Sequence, residues 1–114
     1  MPKVYKITAR KDWEAALKTG AFAGAAIDLR DGYIHLSTAA QAQETARLHF
    51  AGQAGLVLLR VDAAALGAAL KWEPSRGGQL FPHLYGALDC ARVEAVTEIA
   101  LSADGTPQLG DLAP

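Results

Sequence analysis

Cysteine occurs once in the 114 residues, at Cys90, so no internal disulfide can form and the chain suits a reducing compartment. An excess of one charge is also missing: 11 basic residues balance 12 acidic ones, for a formal net charge of −1. That balance argues against gripping duplex nucleic acid by phosphate neutralisation, while leaving room for a local basic pocket. Long apolar runs are absent too. Ala21 to Ile27 is the most apolar early stretch, far short of the ~20 residues that span a bilayer. The start, Met1-Pro2-Lys3-Val4, lacks the pattern of a signal peptide. No membrane partner is expected, and a cytoplasmic location is. No fixed-period repeat, Gly-x-Ser-x-Gly, P-loop or Gly-x-Gly-x-x-Gly motif occurs. His35 and His83 lie far apart and outside any short ligand spacing, so no metal set is predicted.

What remains suffices for one hydrophobic core, since 51% of the residues are hydrophobic and the length fits one domain. Val4, Tyr5 and Ile7 mark a strand over Lys3–Thr8. Trp13, Ala16 and Leu17 form the apolar stripe of a helix over Arg10–Thr19, capped by Thr8 or Asp12 and closed by Gly20. Tyr33–Ser37 reads as a short strand running into a second helix from Thr38 to about Phe50, with Thr38 and Gln41 in a capping-box pattern. Leu56–Val61 fits a strand covered on both faces, and Leu70–Glu73 a shorter one. Leu80–Leu88 is aromatic, with Pro82 limiting its place in a ladder. From Val93 to Leu101 apolar residues alternate, the clearest period-two strand. The expectation is a single α+β domain over residues 1–101, with two main helices near its N-terminus, and a loosely attached tail over 102–114.

Two segments carry the chemistry. In a strand, Tyr33, His35 and Ser37 share one face and lead into a helix N-terminus, whose amides attract anions. A phosphate or ribose held by His35, Ser37 and Thr38 suits this pattern; a hydrogen-bonded structural histidine beside an ordinary cap suits it as well. The second segment runs from Glu73 through Arg76-Gly77-Gly78 to His83, Tyr85 and Gly86. Arg76 can close over an anion, and Glu73 can act as a base or stabilise positive charge. His83 and Tyr85 can line the opposite wall, and Tyr5 or Tyr85 can pack on a ring. The two histidine-bearing stretches are expected to meet across one groove beside the amino end of the second helix. The expected partner is a nucleotide-like or phosphorylated small molecule. A histidine acid–base or metal-dependent enzyme and a non-catalytic interaction module are the alternatives.

Taken together, Val4-Tyr5-Lys6-Ile7, the helix around Trp13, Gly32-Tyr33-Ile34-His35-Leu36-Ser37-Thr38 with Gln41, Lys71-Trp72-Glu73 and Phe81-Pro82-His83-Leu84-Tyr85-Gly86 resemble a small, mostly bacterial family, domain of unknown function family 952. That family is in turn similar to the ADP-ribosyltransferase superfamily, which includes RNA 2′-phosphotransferases. The resemblance implies a split, curved β-sheet cradling NAD or ADP-ribose, and transfer from NAD or an ADP-ribosylated substrate where there is catalysis. It places Lys6 nearest the superfamily's first-strand histidine and Glu73 nearest its late acid. His35, His83 and Glu73 are then the catalytic candidates, and Tyr5, Lys6, Tyr33, Ser37, Thr38, Arg76 and Tyr85 the ligand-binding ones.

Overall fold

The structure is a computed structural model and describes residues 2–114. In chain order its first half comprises β1 (Lys3–Ala9), α1 (Arg10–Thr19), β2 (Ala21–Phe22), α2 (Ala26–Asp31), β3 (Ile34–His35), β4 (Ser37–Thr38) and α3 (Ala39–His49). The second half is nearly all strand: β5 (Leu56–Asp62), β6 (Leu70–Pro74), β7 (Leu80–Leu84), β8 (Leu88–Asp89), β9 (Val93–Glu98), β10 (Ala100–Leu101) and β11 (Pro107–Gln108), joined by short 3₁₀ turns. This is the expected α+β arrangement.

A four-stranded antiparallel sheet in the order β4-β1-β5-β9 divides the core. The apolar run of β5 is explained by its position, paired with β1 along its whole length and with β9 on the other side. Alternation sends Val57 and Leu59 to one face and Leu56 and Leu58 to the other. The first face packs on α1 through Trp13 and Ala16, with Phe22, Ile34, Leu84 and Leu88. The second packs on α3 through Ala42 and Ala46, with Tyr5, Ile99 and Leu109. A second, three-stranded sheet in the order β3-β7-β6 stands beside it.

Several details differ from the sequence reading. The N-cap of α1 is Ala9, which offers no side-chain cap; Thr8 turns inward, its hydroxyl buried without a partner among the described residues. Asp12 lies in the first turn, where it favours the helix dipole without capping, and Arg10 N donates instead to Gly55 O at 2.8 Å. Gly20 does end the helix in the left-handed region, at φ 87°. The short helix α2 escapes notice because six residues show too little periodicity. The period-two strand ends at Glu98, and Ile99 turns in to the α3 face while β10 pairs with β11.

The tail over 102–114 is packed, not loose. Gln43 on α3 donates to Pro107 O at 2.8 Å and accepts from Leu109 N at 3.1 Å. Leu109 is buried in the α3 cluster, and Tyr5 Oη donates to Ala113 O at 2.5 Å. One buried leucine and a glutamine anchor are signals too sparse to distinguish this segment from a polar linker.

Candidate functional site

The stretch read as one strand, Tyr33–Ser37, changes sheets midway. Ile34 and His35 pair with β7, opposite Leu84 and His83; Ser37 and Thr38 pair with β1, opposite Tyr5 and Val4. Leu36 makes the crossing and donates its amide to Pro82 O at 3.1 Å. Pro82 has no N–H to return that bond, so the β3–β7 ladder stops there, although β7 is the middle strand of its sheet. Because β4 is only two residues long, the β4-side edge of β1 beyond Tyr5 has no strand beside it among the described residues. A cavity of about 470 Å³ opens at that gap, bounded by β1, β3, β7 and α3.

The register places His35 directly across from His83, with ring centroids 5.8 Å apart, and both line the cavity. Tyr33 packs against both rings, 4.6 Å from His35 and 4.1 Å from His83, and lies 5.3 Å from Tyr85. The two imidazoles are held differently. His35 Nδ1 lies 2.6 Å from Asp28 Oδ1 and its Nε2 lies 2.9 Å from Asp31 Oδ2. A ring so bracketed donates to both carboxylates only when doubly protonated, and it leaves no nitrogen for a ligand. His83 is buried, its Nδ1 lies 2.9 Å from Glu73 Oε1, and Nε2 has no protein partner among the described residues.

Asp28 is the hub of the first group. It accepts from Lys6 Nζ, Ala25 N, His35 N and His35 Nδ1, tying α2 to β1 and β3. Burial pushes its carboxyl up, but the bonds and charge of His35 and Lys6 outweigh that and hold it well below the ordinary range. For Lys6 the balance is opposite: burial lowers the ammonium's pKa and Asp28 only partly offsets it. Lys6 thus lines the cavity with its charge already committed. Glu73 does not reach the cavity lining. Its Oε1 takes His83 Nδ1 and the Tyr85 hydroxyl, the latter at 2.8 Å, and these two hydrogen bonds hold the carboxyl low. Tyr85 also lies outside the lining.

On the opposite wall Ser37 Oγ is 3.1 Å from Thr45 Oγ1, which accepts from Arg76 Nη1 at 3.2 Å. The Arg76 guanidinium lies 4.9 Å over the Phe81 ring. Thr38 does not line the cavity, and its amide is taken by Gln41 Oε1 at 3.1 Å. The cavity therefore runs along Thr45 and His49 in the second half of α3 and Phe50 just beyond it, not at the helix's amino end. Gln41 thus occupies the amide that leads into α3. Tyr5 lines the cavity while its hydroxyl holds the tail.

Of the ten residues singled out in the sequence, His35, His83, Tyr5, Lys6, Tyr33, Ser37 and Arg76 come together around the cavity; Thr38 does not, and Glu73 and Tyr85 stand behind His83. Sequence reasoning missed Asp28, Asp31 and Thr45. A carboxylate inside the apolar stretch from Ala21 to Leu29 was the available sign of Asp28, since a buried acid needs partners. Among the described residues no three His, Cys, Asp or Glu side chains converge as a metal-ligand set.

Comparisons with known proteins place the chain in a family. The crystal structure of protein CC0527 from Caulobacter crescentus is similar at 55% identity, covering 94% of this chain and 94% of that one with a TM-score of 0.92. The solution NMR structure of the same protein is 55% identical, covers 96% and 95% of the two chains, and superposes with a TM-score of 0.86. No curated protein matches the chain. The family model described as protein of unknown function, DUF952, matches residues 7–96. From the first strand through β9 the sequence follows that pattern, and the chain belongs to the DUF952 family.

Proposed function

We propose that the cavity binds a phosphorylated, nucleotide-like small molecule and that His83 is the group that accepts a proton from it. The observation that carries this reading is the cross-strand pairing of His35 with His83, which sets two carboxylate-held imidazoles on one cavity wall. With Nδ1 donating to Glu73, the neutral His83 ring presents Nε2 as an acceptor, the arrangement in which imidazole serves as a general base. Glu73 is then a positioning residue, fixing the tautomer and orientation of His83. Its carboxylate is occupied by His83 and Tyr85, which fits acid–base chemistry better than direct stabilisation of an oxocarbenium centre. Arg76 supplies charge for an anionic group.

A cavity between two antiparallel sheets supports the ADP-ribosyltransferase-like reading of the fold, in which NAD or ADP-ribose lies between them. Lys6 would stand where that superfamily has a histidine, acting through Asp28 and not on the ligand. Thermal-shift and calorimetric titrations with ADP-ribose, NAD, AMP and inorganic phosphate test the proposal. A saturable probe that stabilises the protein, and binds a folded His83→Gln variant at least about tenfold more weakly, is the expected result. Failure of every probe to saturate, or equal binding by the variant, overturns it.

A further inference from the structure

The polar groups around the cavity have most of their protons already committed. Thr45 Oγ1 donates to Gln41 O at 3.1 Å. Having one proton, it can only accept from Ser37 Oγ and from Arg76 Nη1. Ser37 therefore commits its own proton to Thr45, and its oxygen faces the cavity with acceptor lone pairs alone. In its neutral form His83 repeats the pattern, with Nδ1 donating to Glu73 and Nε2 left to accept. Two acceptors in one cavity call for a ligand that brings hydroxyl donors.

Arg76 supplies the opposite character. Lys6, His35 and His83 each face a carboxylate, whereas Arg76, like His49, has no acidic partner among the described residues. A guanidinium has five N–H donors, and among the described residues only one bond, to Thr45, is made here. Stacking on Phe81 and the Thr45 bond hold its plane, so the remaining fork is set for one doubly bonded anionic group. One such cation suits one phosphate.

We infer that the ligand is a phosphomonoester of a hydroxylated sugar, ribose 5-phosphate by itself or within a nucleoside monophosphate, with its phosphate on Arg76 and hydroxyls on Ser37 Oγ and His83 Nε2. This rests on the proposed use of the cavity and names the class of molecule that fills it. The volume of about 470 Å³ lies within the range of small-molecule sites.

Calorimetric titration with ribose 5-phosphate, AMP, adenosine, 2′,3′-dideoxy-AMP and NAD provides the test, with wild-type, Arg76→Gln and Ser37→Ala proteins of matched melting temperature. Ribose 5-phosphate or AMP saturates the wild type, and loss of the phosphate weakens binding at least about tenfold. Arg76→Gln removes that phosphate preference. Loss of the two sugar hydroxyls costs about tenfold in wild type and less in Ser37→Ala. Arg76→Lys keeps the charge without the fork, serves if Arg76→Gln does not fold, and weakens AMP more than adenosine. Equal binding of adenosine and AMP, an unchanged phosphate preference in either Arg76 variant, or no cost for the missing hydroxyls overturns the inference. NAD binding without monophosphate binding overturns it and leaves the proposed function standing; no binding by any of these probes, nor by ADP-ribose or inorganic phosphate, overturns both.

Discussion

Four donors converge on the buried Asp28 carboxylate, and the ammonium among them, Lys6, is nearly as buried. Removing one member of such a pair strands the other's charge in the interior, which costs about 3–5 kcal/mol. Asp28→Asn is therefore expected to destabilise the protein by that amount in urea denaturation near pH 7; a loss below about 1 kcal/mol would mean that water reaches Lys6. The pH dependence has a definite sign. His35 and Lys6, against the opposing effect of burial, hold the Asp28 carboxyl below its ordinary 3.8, so its contribution is complete above that value and is lost as pH falls. Glu73, Glu94 and Asp104 are also held low, chiefly by hydrogen bonds from His83, Lys3 and Ser102. The wild-type curve alone therefore mixes several groups. The difference between wild type and Asp28→Asn removes what the two proteins share, leaving Asp28 and the partners it holds, and it should shrink as pH falls below about 4.

At the scale of the element, α2 is held to the sheets by Asp28, and the space for Asp28 is made by Gly24. A Cβ at Gly24 would lie 2.7 Å from Asp28 Cβ, and its φ of +116° already disfavours an L side chain. Gly20, by contrast, has a positive φ with nothing within 4 Å. Gly20→Ala should cost only the left-handed backbone penalty, about 1–2 kcal/mol. Gly24→Ala should cost more than Gly20→Ala in thermal unfolding and shift the His35 ring resonances, because Asp28 must move. Equal losses and unmoved His35 signals would show that α2 does not depend on this contact. α2 also marks where the sequence stopped being readable. α1, α3 and β5 announce themselves through a continuous apolar stripe or run, because each packs along its length. α2 owes its place to one carboxylate meeting groups from β1 and β3, a long-range event without local periodicity. Alternation puts Tyr33, His35 and Ser37 on one face of their strand, but the direct pairing of His35 with His83 is hidden, because Pro82 argues against a ladder and the sequence places His83 on the opposite wall. The exchange of sheets at Leu36 is hidden too, since it depends on the amide that Pro82 lacks in a strand almost fifty residues later.

Across the whole molecule the four-stranded sheet must be covered on both faces, and two helices provide only part of that cover. On one face the three-stranded sheet completes it, and the cavity is the gap left where β3 passes into β4. On the other, α3 presents alanines, Ala42 and Ala46, whose short side chains let the helix lie close but cover little area. The segment beyond β10 fills the remainder: Leu109 enters the cluster with Tyr5, Leu56 and Leu58, and the Tyr5 hydroxyl reaches Ala113 O. The same Tyr5 ring forms part of the cavity wall, so the tail and the candidate site share a residue. Leu109→Ala should therefore destabilise the protein by about 2–3 kcal/mol, as for a buried leucine whose surroundings can partly relax. Truncation after Leu101 should cost more, because it also removes the Gln43 anchors and the Tyr5 hydrogen bond. If the tail steadies the Tyr5 wall, the truncated protein, titrated well below its melting temperature, should also bind any probe of the cavity more weakly. Unchanged affinity alongside lowered stability would separate the two roles and confine the tail to closing the core.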